Sequence, residues 1–436
     1  MKTFVLYYLR FFARLALFIH KPKIIGITGS VGKSSTRNAI YAMMKDYFKV
    51  KAIKEGNSET GIPLGILGIS PGHYHLLDWL RIMLFAPFKI NNLKGINYLI
   101  VEMGIDSPLP PKNMDYLLTI VKPDIAVVLN VYPVHTMQFD GIVDEKITGE
   151  KRIKEIIEKI AEEKFKIITK AKPKIGIFNE LASFHLGGGR GTKLTSFGQS
   201  DEAEIKFLDY QVSLKKTTFK YLLKEENKEI EVNIRNFVLP RGYLEVFAAT
   251  IAVGKNLGLT DNRIIKGLSD NFTVPSGRGS IFEGINSSII IDSSYNASRA
   301  SVLTFLEMAE TLSEKENRPL VFLMGDMREL GQEAKIEHET VAKKILDINV
   351  SQVYCVGPNT KKYIRYTRWF KTAIEVGDYL RKTLPYQSII LVKGSQNEIF
   401  LEEAVKKILK NKSDAKKLCR QNDFWINKKK EFFQGV

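Results

Sequence analysis

KIIGITGSVGKSS, residues 23–35, is an apolar run that ends in glycines and is followed by a lysine and two serines. This order predicts a β-strand, a phosphate-binding loop and the start of a helix. Glycines let successive backbone N–H groups converge on an anion, and the helix presents its positive dipole end. A chance glycine-rich turn would not need a lysine and serines at these places. The predicted nucleotide-binding positions are Gly29, Ser30, Gly32, Lys33, Ser34 and Ser35.

The composition is that of a soluble globular protein with room for two or three domains. The chain has 436 residues, of which 44% are hydrophobic and 26% charged. Its formal net charge of +17 favours an anionic partner, without choosing among a nucleotide, a nucleotide-linked sugar, nucleic acid and a membrane surface. The two cysteines, Cys355 and Cys419, are too few for a disulfide framework or a zinc site, which fits a reducing cytoplasm.

Within residues 1–22, the run from Phe4 to Ile19 is nearly all apolar or aromatic, but Arg10 and Arg14 interrupt it one helical turn apart. These arginines argue against a cleaved signal peptide. The run is also expected to be too short and too charged for a transmembrane helix. It is predicted to be an amphipathic helix that either docks on the body of the protein or lies on the inner membrane surface, with its arginines toward lipid phosphates.

Polar residues end two further predicted strands. Residues 97–101 are apolar and lead to Glu102, while residues 124–129 lead to Asn130 and, five positions later, to His135. A carboxylate at the carboxyl end of a strand beside the phosphate-loop strand is well placed to hold the Mg²⁺ of MgATP. His135 alone would more often be structural, but its position third in this order favours a functional role.

In this order of motifs the chain resembles the Mur ligases, the ATP-dependent enzymes that join amino acids or dipeptides to a cell-wall precursor. The compact loop TGSVGKSS (28–35) and the turn GNSETGIP (56–63) carry part of the resemblance. It implies ATP and Mg²⁺ as cofactors, and a carbamylated lysine that helps to hold a second Mg²⁺. The matching lysine is Lys164. The interval between His135 and Lys164 is about twice the one usual in the family, and a charged insertion at residues 144–158 fills it. Lys146, Lys151 and Lys154 therefore remain alternatives for the carbamylated position.

The resemblance is closest, and MurF/MurE-like, in the last third of the chain. Predicted strands there end in DSSYNA (292–297), GDMRELG (325–331) and KGS (393–395). Strands alternating with helices predict a second doubly wound sheet with polar motifs at the carboxyl ends of its strands. By resemblance, Arg278 contacts phosphate when the C-terminal domain closes, and Asp292 and Asn296 lie at its ATP-facing edge.

The predicted fold is α/β in two domains. Residues 1–22 form the amphipathic helix, residues 23–274 a central P-loop ATPase domain with a parallel-rich sheet, and residues 275–436 a Rossmann-like C-terminal domain. The family's usual N-terminal UDP-binding domain is expected to be missing, since only 22 residues precede Lys23. The precursor's nucleotide would then be held differently or be absent, and residues 1–22 and 72–95 are expected to help hold the acceptor.

The resemblance implies a ligase that activates a carboxylate as an acyl phosphate and joins it to an amine, releasing ADP and phosphate. The implied catalytic residues are Lys33, His135, Lys164 and Arg278, and the implied metal ligands are Ser34, Glu102, His135 and Lys164. The implied partners are an amino acid or peptide and an anionic, nucleotide- or phosphate-linked cell-wall precursor. Nucleic acid is not expected. The enzyme would be cytoplasmic, with possible contact of residues 1–22 with the inner membrane.

Several alternatives remain open. Within the ligase class, a MurF-type enzyme competes with a pseudomurein peptide ligase, whereas the C-terminal blocks disfavour folylpolyglutamate or cyanophycin synthesis. A P-loop ATPase acting as a switch or motor would have no use for those blocks. A degenerate nucleotide-binding scaffold is suggested by Leu244 and Glu245, which stand where the family has histidine and asparagine near the base. The presence of Lys33, Glu102, His135 and Arg278 argues against it.

Overall fold

The computed structural model describes residues 2–54, 56–70, 72, 76–132, 136–144, 147, 149–181, 191–235, 237–328, 330, 333–365, 367–395 and 398–435. The chain divides into two compact units. The first comprises Met1–Asp209, Phe219–Val232 and Tyr243–Thr273, and the second Tyr210–Thr218, Asn233–Gly242 and Val274–Val436.

The phosphate loop follows a central strand of a nine-stranded sheet. The strands are β1 (Lys23–Thr28), β2 (Val50–Ala52), β3 (Tyr98–Glu102), β4 (Ile125–Val128), β5 (Ile175–Asn179), β6 (Lys193–Gly198), β7 (Ile205–Val212), β8 (Lys216–Leu223) and β9 (Lys228–Arg235). Their order is β2-β3-β1-β4-β5-β6-β7-β8-β9. Strand β1 pairs in parallel with β3 on one side and with β4 on the other. The residues that follow these three strands therefore meet at one edge of the sheet.

The helices of the first unit are α1 (Lys2–His20), α2 (Lys33–Met44), α3 (Gly61–Leu67), α4 (Leu76–Phe85), α5 (Met114–Ile120), α6 (Thr136–Phe139), α7 (Gly149–Thr169), α8 (Tyr243–Asn256) and α9 (Asp261–Asn271). Short 3₁₀ segments cover Ala86–Leu93 and Asp140–Ile142. Helix α2 begins at Lys33, within the stretch where the sequence predicts the start of a helix. Residues 149–158 of the predicted charged insertion form no separate element, because α7 runs unbroken from Gly149 through Lys164.

Helix α1 docks on the body of the protein, which was one of the two predicted alternatives. It packs on α3 and on the 3₁₀ segment Ala86–Leu93, and its inner face is buried in the core at Val5, Leu9, Ala13 and Ala16. By length and composition, Thr3–His20 is long and apolar enough to cross a membrane, so the expectation that it is too short and too charged is wrong. Its buried face nevertheless fixes it on the protein.

The second unit contains the predicted second doubly wound sheet. Its strands are β10 (Ser280–Glu283), β11 (Ile289–Ser293), β12 (Leu320–Gly325), β13 (Gln352–Val356), β14 (Arg368–Phe370) and β15 (Ile389–Lys393), in the order β10-β11-β15-β12-β13-β14. Only the β10–β11 pair of this sheet is antiparallel among the described residues. Helices α10 (Arg299–Glu316), α11 (Ala334–Asp347), α12 (Pro358–Tyr363), α13 (Ala373–Thr383), α14 (Glu402–Ile408) and α15 (Asp423–Gln434) complete the unit, confirming the α/β class.

The C-terminal tail is fastened by a buried ion pair. The Arg420 guanidinium donates to both carboxylate oxygens of Glu402, at 2.8 and 2.6 Å, and to the backbone carbonyls of Ser294 and Tyr295. The ammonium of Lys429, on α15, lies 3.4 Å from the same carboxylate. The tail therefore folds back on the unit, and it supports the chain directly after β11.

The buried pair leads to a stability prediction. Arg420→Met should lower the free energy of unfolding of the second unit by about 3 kcal/mol or more, because Glu402 would lose its bidentate partner inside the protein. Urea denaturation followed by circular dichroism measures the change. Lys416→Met, which removes an exposed lysine from the same tail, is the control. A similar loss in both variants would show that the buried pair does not stabilise the unit.

Candidate active site

The loop between β1 and α2 depends on its glycines. Gly29 has a φ of 147° and Gly32 a φ of 90°, in the left-handed region that side chains disfavour. A Cβ on Gly29 would also come within 2.9 Å of the Leu129 side chain. These conformations turn the chain from the strand directly into the helix at Lys33.

Asn130, at the end of the neighbouring strand, clamps this loop. Its carboxamide oxygen accepts from the Val31 N–H at 2.8 Å, and its amide donates to the Val31 carbonyl at 3.1 Å. The backbone N–H of Ser30 donates to the Asn130 carbonyl at 3.0 Å. From the sequence, Asn130 only marks the end of a predicted strand. In the structure, its hydrogen bonds determine the shape of the loop.

The Lys33 ammonium lies over the loop. It donates to the carbonyls of Gly29 at 2.7 Å and Ser30 at 3.2 Å. Burial lowers its pKa, while the carboxylates of Glu102 and Asp106 act in the opposite direction. A cation held beside the N-terminus of a helix is suited to the phosphates of a nucleotide. Ser35, also predicted to bind nucleotide, lies instead with its hydroxyl 3.2 Å from that of Tyr243.

Ser34 and Glu102 come together as expected for metal ligands. The Ser34 hydroxyl donates to the Glu102 carboxylate at 3.0 Å. A hydroxyl and a carboxylate fit Mg²⁺, which prefers oxygen ligands and takes one or two carboxylates from a protein, with waters and phosphates completing its shell. No cluster of three or more His, Cys, Asp or Glu side chains suited to a metal occurs in the part of the chain that the structure describes.

Sequence reasoning missed Arg37, which lies one helical turn after Lys33. Its guanidinium forms an ion pair with Glu102 at 2.6 Å and donates to the Ile53 carbonyl at 3.0 Å. It therefore fixes the direction of the carboxylate that faces Ser34. The spacing of four residues from Lys33, on a helix that starts at the loop, was the available signal.

Lys164 is brought close to Lys33. The side chain is 2% exposed, and burial lowers its pKa to about 7, with the positive charge of Lys33 acting in the same direction and Asp106 and Glu163 opposing it. The rivals Lys151 and Lys154 are exposed on the same helix. Burial thus favours Lys164 among these three. His135, along with Lys146, lies outside the described residues.

Two neighbouring features complete this edge of the sheet. Asn57, in the turn at residues 56–63, accepts at its backbone carbonyl from the Gly104 N–H at 2.9 Å, directly after β3. Glu245, in the first turn of α8, accepts from the Asn130 amide at 2.6 Å and from the Tyr132 hydroxyl at 3.3 Å. Burial raises the pKa of Glu245. The residue that departs from the family pattern thus supports the clamp on the loop.

In the second unit, three predicted residues lie near the carboxyl end of β11. Asp292 is fully buried, and burial raises its pKa to about 6. One of its carboxylate oxygens accepts from the Ser294 N–H, and the other has no hydrogen-bond partner among the described residues. The Arg278 guanidinium stacks 4.6 Å from the centre of the Tyr295 ring. The Asn296 side-chain oxygen accepts from the next backbone N–H.

Lys393, quoted in the sequence only as part of KGS, belongs to the same cluster. It lies opposite Ser293 in the parallel pairing of β11 and β15. Its ammonium donates to the Ser293 hydroxyl at 3.2 Å and to the Asn296 carbonyl at 2.7 Å. Burial lowers its pKa to about 7, Arg278 adding to the effect and Asp292 opposing it. The sheet register, which the sequence does not show, places this lysine between the predicted residues.

The GDMRELG block has a structural role. The Asp326 carboxylate accepts from the backbone N–H groups of Asn359 at 3.0 Å and Thr360 at 2.7 Å. His338 accepts at Nε2 from the Met327 N–H, and its Nδ1 lies 2.7 Å from the Ala334 carbonyl. Nδ1 must therefore carry the proton, and the imidazole is held neutral. These residues join loops of the second unit to one another.

Comparison with known proteins agrees with this geometry. The model of the Mur ligase middle domain matches residues 27–237, a range that includes the loop, Glu102 and Lys164. The predicted resemblance to the Mur ligases is thereby confirmed. The protein is an enzyme, an ATP-dependent ligase that forms amide bonds in cell-wall synthesis, as the resemblance implies.

Relatives and a solved structure extend the match beyond the middle domain. The UDP-N-acetylmuramoyl-tripeptide--D-alanyl-D-alanine ligase of Rickettsia prowazekii is 27% identical over 86% of this chain and 76% of its own. The protein of the same name from Buchnera aphidicola is 25% identical over 88% and 75%. The crystal structure of MurF ligase from Thermotoga maritima in complex with ADP shares the fold, with a TM-score of 0.72, 23% identity, and coverage of 92% of this chain and 83% of that one.

The position of Lys33 leads to a first functional prediction. Lys33→Ala should lower ATP turnover by about a hundredfold or more, the scale of a lost transition-state charge contact, and should leave the fold unchanged, because the ammonium bonds only to loop carbonyls. Coupled detection of ADP measures it. Lys45→Ala, an exposed lysine directly after the same helix, should change turnover little. A Lys33→Ala rate within threefold of wild type would remove the loop from the mechanism.

A second prediction concerns Lys164. Carbamylation needs the neutral amine, and with a pKa of about 7 this form increases as the pH rises through 7. Added bicarbonate should therefore activate the enzyme more at pH 8 than at pH 6. Lys164→Ala should lose roughly a hundredfold in rate and be partly rescued by a short carboxylate. Lys154→Ala should keep both the rate and the bicarbonate response. If Lys154→Ala loses them instead, the alignment along α7 is wrong.

Proposed function

We propose that this protein joins D-alanyl-D-alanine to a UDP-N-acetylmuramoyl-tripeptide and releases ADP and phosphate. The observation that carries the proposal is the convergence of Lys33, the Ser34–Glu102 pair and Lys164 at one edge of the sheet. The choice of acceptor and dipeptide rests on the relatives, which carry this name and match 86% and 88% of the chain. Those relatives favour a murein over a pseudomurein ligase.

The chemistry balances in two steps. An oxygen of the tripeptide carboxylate attacks the γ-phosphorus of ATP, and the bond from that phosphorus to the ADP oxygen breaks, which leaves an acyl phosphate. The dipeptide amine then attacks the acyl carbon, the bond to the phosphate oxygen breaks, and the amine loses a proton. The products are an amide, ADP and phosphate.

In this proposal each site residue of the first unit has a separate role. The backbone N–H groups at the start of α2 hold phosphate oxygens, and Lys33 offsets the charge that develops on them during transfer. Ser34 and Glu102 would hold one Mg²⁺, with Arg37 orienting the carboxylate, and Lys164 as a carbamate would join His135 at a second. Mg²⁺ would neutralise phosphate charge. The roles of Arg278, Asp292 and Asn296 stay predictions from the resemblance.

A carbamate on Lys164 also resolves an electrostatic conflict. The ammonium groups of Lys33 and Lys164 repel each other, which contributes to the lowered pKa of Lys164. Carbamylation replaces one of these positive charges by a negative one, so the pair becomes attractive. The same change turns Lys164 from a group that would repel a cation into an oxygen ligand.

We further propose that the enzyme works in the cytoplasm and touches the inner membrane surface through residues 1–22. Helix α1 exposes Phe4, Phe11 and Phe18 on its outer face. The contact is peripheral, because Leu9 and Ala13 on the opposite face are buried in the protein core.

An ADP-release assay tests the proposed reaction. Release should require both UDP-N-acetylmuramoyl-tripeptide and D-alanyl-D-alanine, and single amino acids should not replace the dipeptide. The ligated product should appear in mass spectra in equal amount to ADP. Lys33→Ala serves as the inactive control. ADP release at the same rate without either substrate would indicate an ATPase, and the absence of release with any pair would indicate a nucleotide-binding scaffold.

A further inference from the structure

Exposed apolar side chains are concentrated on two adjacent segments of the first unit. Among the residues that the structure describes, 22 large hydrophobic side chains are exposed, and half of them lie on α1 or within residues 76–88. These eleven are Phe4, Tyr7, Phe11, Phe18, Ile19, Leu76, Leu77, Leu80, Leu84, Phe85 and Phe88. Contiguous apolar surface of this kind marks an interaction site on a soluble protein. We call these eleven residues the apolar face.

The residues follow helical spacing, so each segment presents a stripe rather than scattered side chains. On α1, Phe4, Tyr7, Phe11 and Phe18 are exposed, opposite the buried residues of the same helix. On α4 and the 3₁₀ segment after it, Leu77, Leu80, Leu84 and Phe88 recur every three or four positions, and Leu77 and Phe88 are each 78% exposed. Helix α1 is therefore apolar on both its inner and its outer side.

The two stripes are next to each other. The Tyr8 hydroxyl on α1 donates to the Met83 carbonyl on α4 at 3.0 Å. The Tyr8 ring lies 6.1 Å from the ring of Phe4, and Met83 directly precedes Leu84 in the chain. Exposed side chains of both helices thus flank one contact between them.

The charges around the apolar face are almost all positive. Residues 2–23 and 76–94 contain eight lysines and arginines and a single acid, Asp78, which pairs with Arg81 at 2.7 Å. Arg14, Lys89 and Lys94 are exposed. Apolar side chains with basic neighbours match the boundary between the headgroups and acyl chains of an anionic bilayer.

We propose that α1 and residues 76–88 form one docking surface for an anionic lipid bilayer, on which both helices lie in the plane of the membrane. The proposal extends the membrane contact of residues 1–22 to a second helix and does not depend on the ligase reaction. A spanning orientation of α1 would expose its buried face and break its packing on α3. A second copy of the chain is disfavoured, because a twofold interface would bring two positively charged surfaces together.

Flotation with vesicles tests the surface. The full-length protein should float with vesicles of phosphatidylethanolamine containing roughly a quarter phosphatidylglycerol, and more weakly with phosphatidylcholine alone. Leu77→Ser combined with Leu84→Ser and Phe88→Ser should weaken binding by roughly a thousandfold or more, since the transfer of each large side chain out of water contributes at least about a tenfold factor. The matched control replaces Ile336, Leu346 and Tyr386, which are exposed in the second unit, by serine and should bind normally. Thermal melts of both variants should agree within a few degrees of wild type.

Substitution of the basic residues measures the electrostatic contribution to vesicle binding. Arg14→Gln with Lys89→Gln and Lys94→Gln should reduce vesicle binding by roughly a hundredfold at low salt, since each basic residue near an anionic surface contributes about a fivefold factor. The difference from wild type should shrink at high salt, where exposed charges are screened. Lys335→Gln with Lys343→Gln and Lys382→Gln makes the same change in net charge at exposed lysines of the second unit and should have little effect.

Four outcomes would overturn the proposal. The first is failure of the wild type to float at low salt, and the second is an equal loss of flotation in the control variants. The third is a stable dimer in light scattering that the triple serine variant dissociates. The fourth is a raised KM for the UDP-linked acceptor in that variant without vesicles, together with unchanged flotation, which would assign the apolar face to the acceptor. Loss of ADP release in the presence of normal flotation would instead count against the ligase function alone.

Discussion

The parallel pairing of β1 with β3 and β4 is the constraint on which the candidate site depends. Parallel strands end at the same edge of a sheet, so residues far apart in the chain are delivered to one place without any long side chain having to reach. Glu102 ends β3, the phosphate loop follows β1, and Asn130 follows β4. Glu102 then bonds to Ser34 at the start of α2, and Asn130 bonds to the loop.

Charge balance at this edge is the second physical theme. Lys33 and Lys164 are two amines in a poorly solvated region, and both have lowered pKa values. Glu102, Asp106 and Glu163 supply the opposing charge, and Arg37 neutralises part of Glu102. These positive and negative groups do not fully neutralise one another, and a bound anion and a bound cation would complete the charge balance. Incomplete charge balance of this kind is characteristic of a binding site rather than of a structural ion-pair network.

The second unit shows a related arrangement at the end of β11. A buried carboxylate, Asp292, and a buried amine, Lys393, have pKa values shifted toward their neutral forms, to about 6 and about 7. The tail stabilises the same segment through Arg420, which bonds the carbonyls of Ser294 and Tyr295. The tail thus holds the backbone beside a pair of poorly solvated ionisable groups.

The sequence by itself determined the α/β class, the phosphate loop and the pairing of Ser34 with Glu102, because these depend on local patterns and on the rule that parallel strands end at one edge. It also led to the family through motifs in a fixed order. The sequence did not determine which lysine of α7 is buried, since Lys151, Lys154 and Lys164 share one helix and only packing distinguishes Lys164 from the other two. The roles of Arg37, Asn130, Glu245 and Lys393 depend on contacts between residues distant in the chain. Tertiary structure alone decided that α1 docks on the protein, because Arg10 and Arg14 mark one side of the helix, but this pattern fits burial of the other side in a protein core as well as in a membrane.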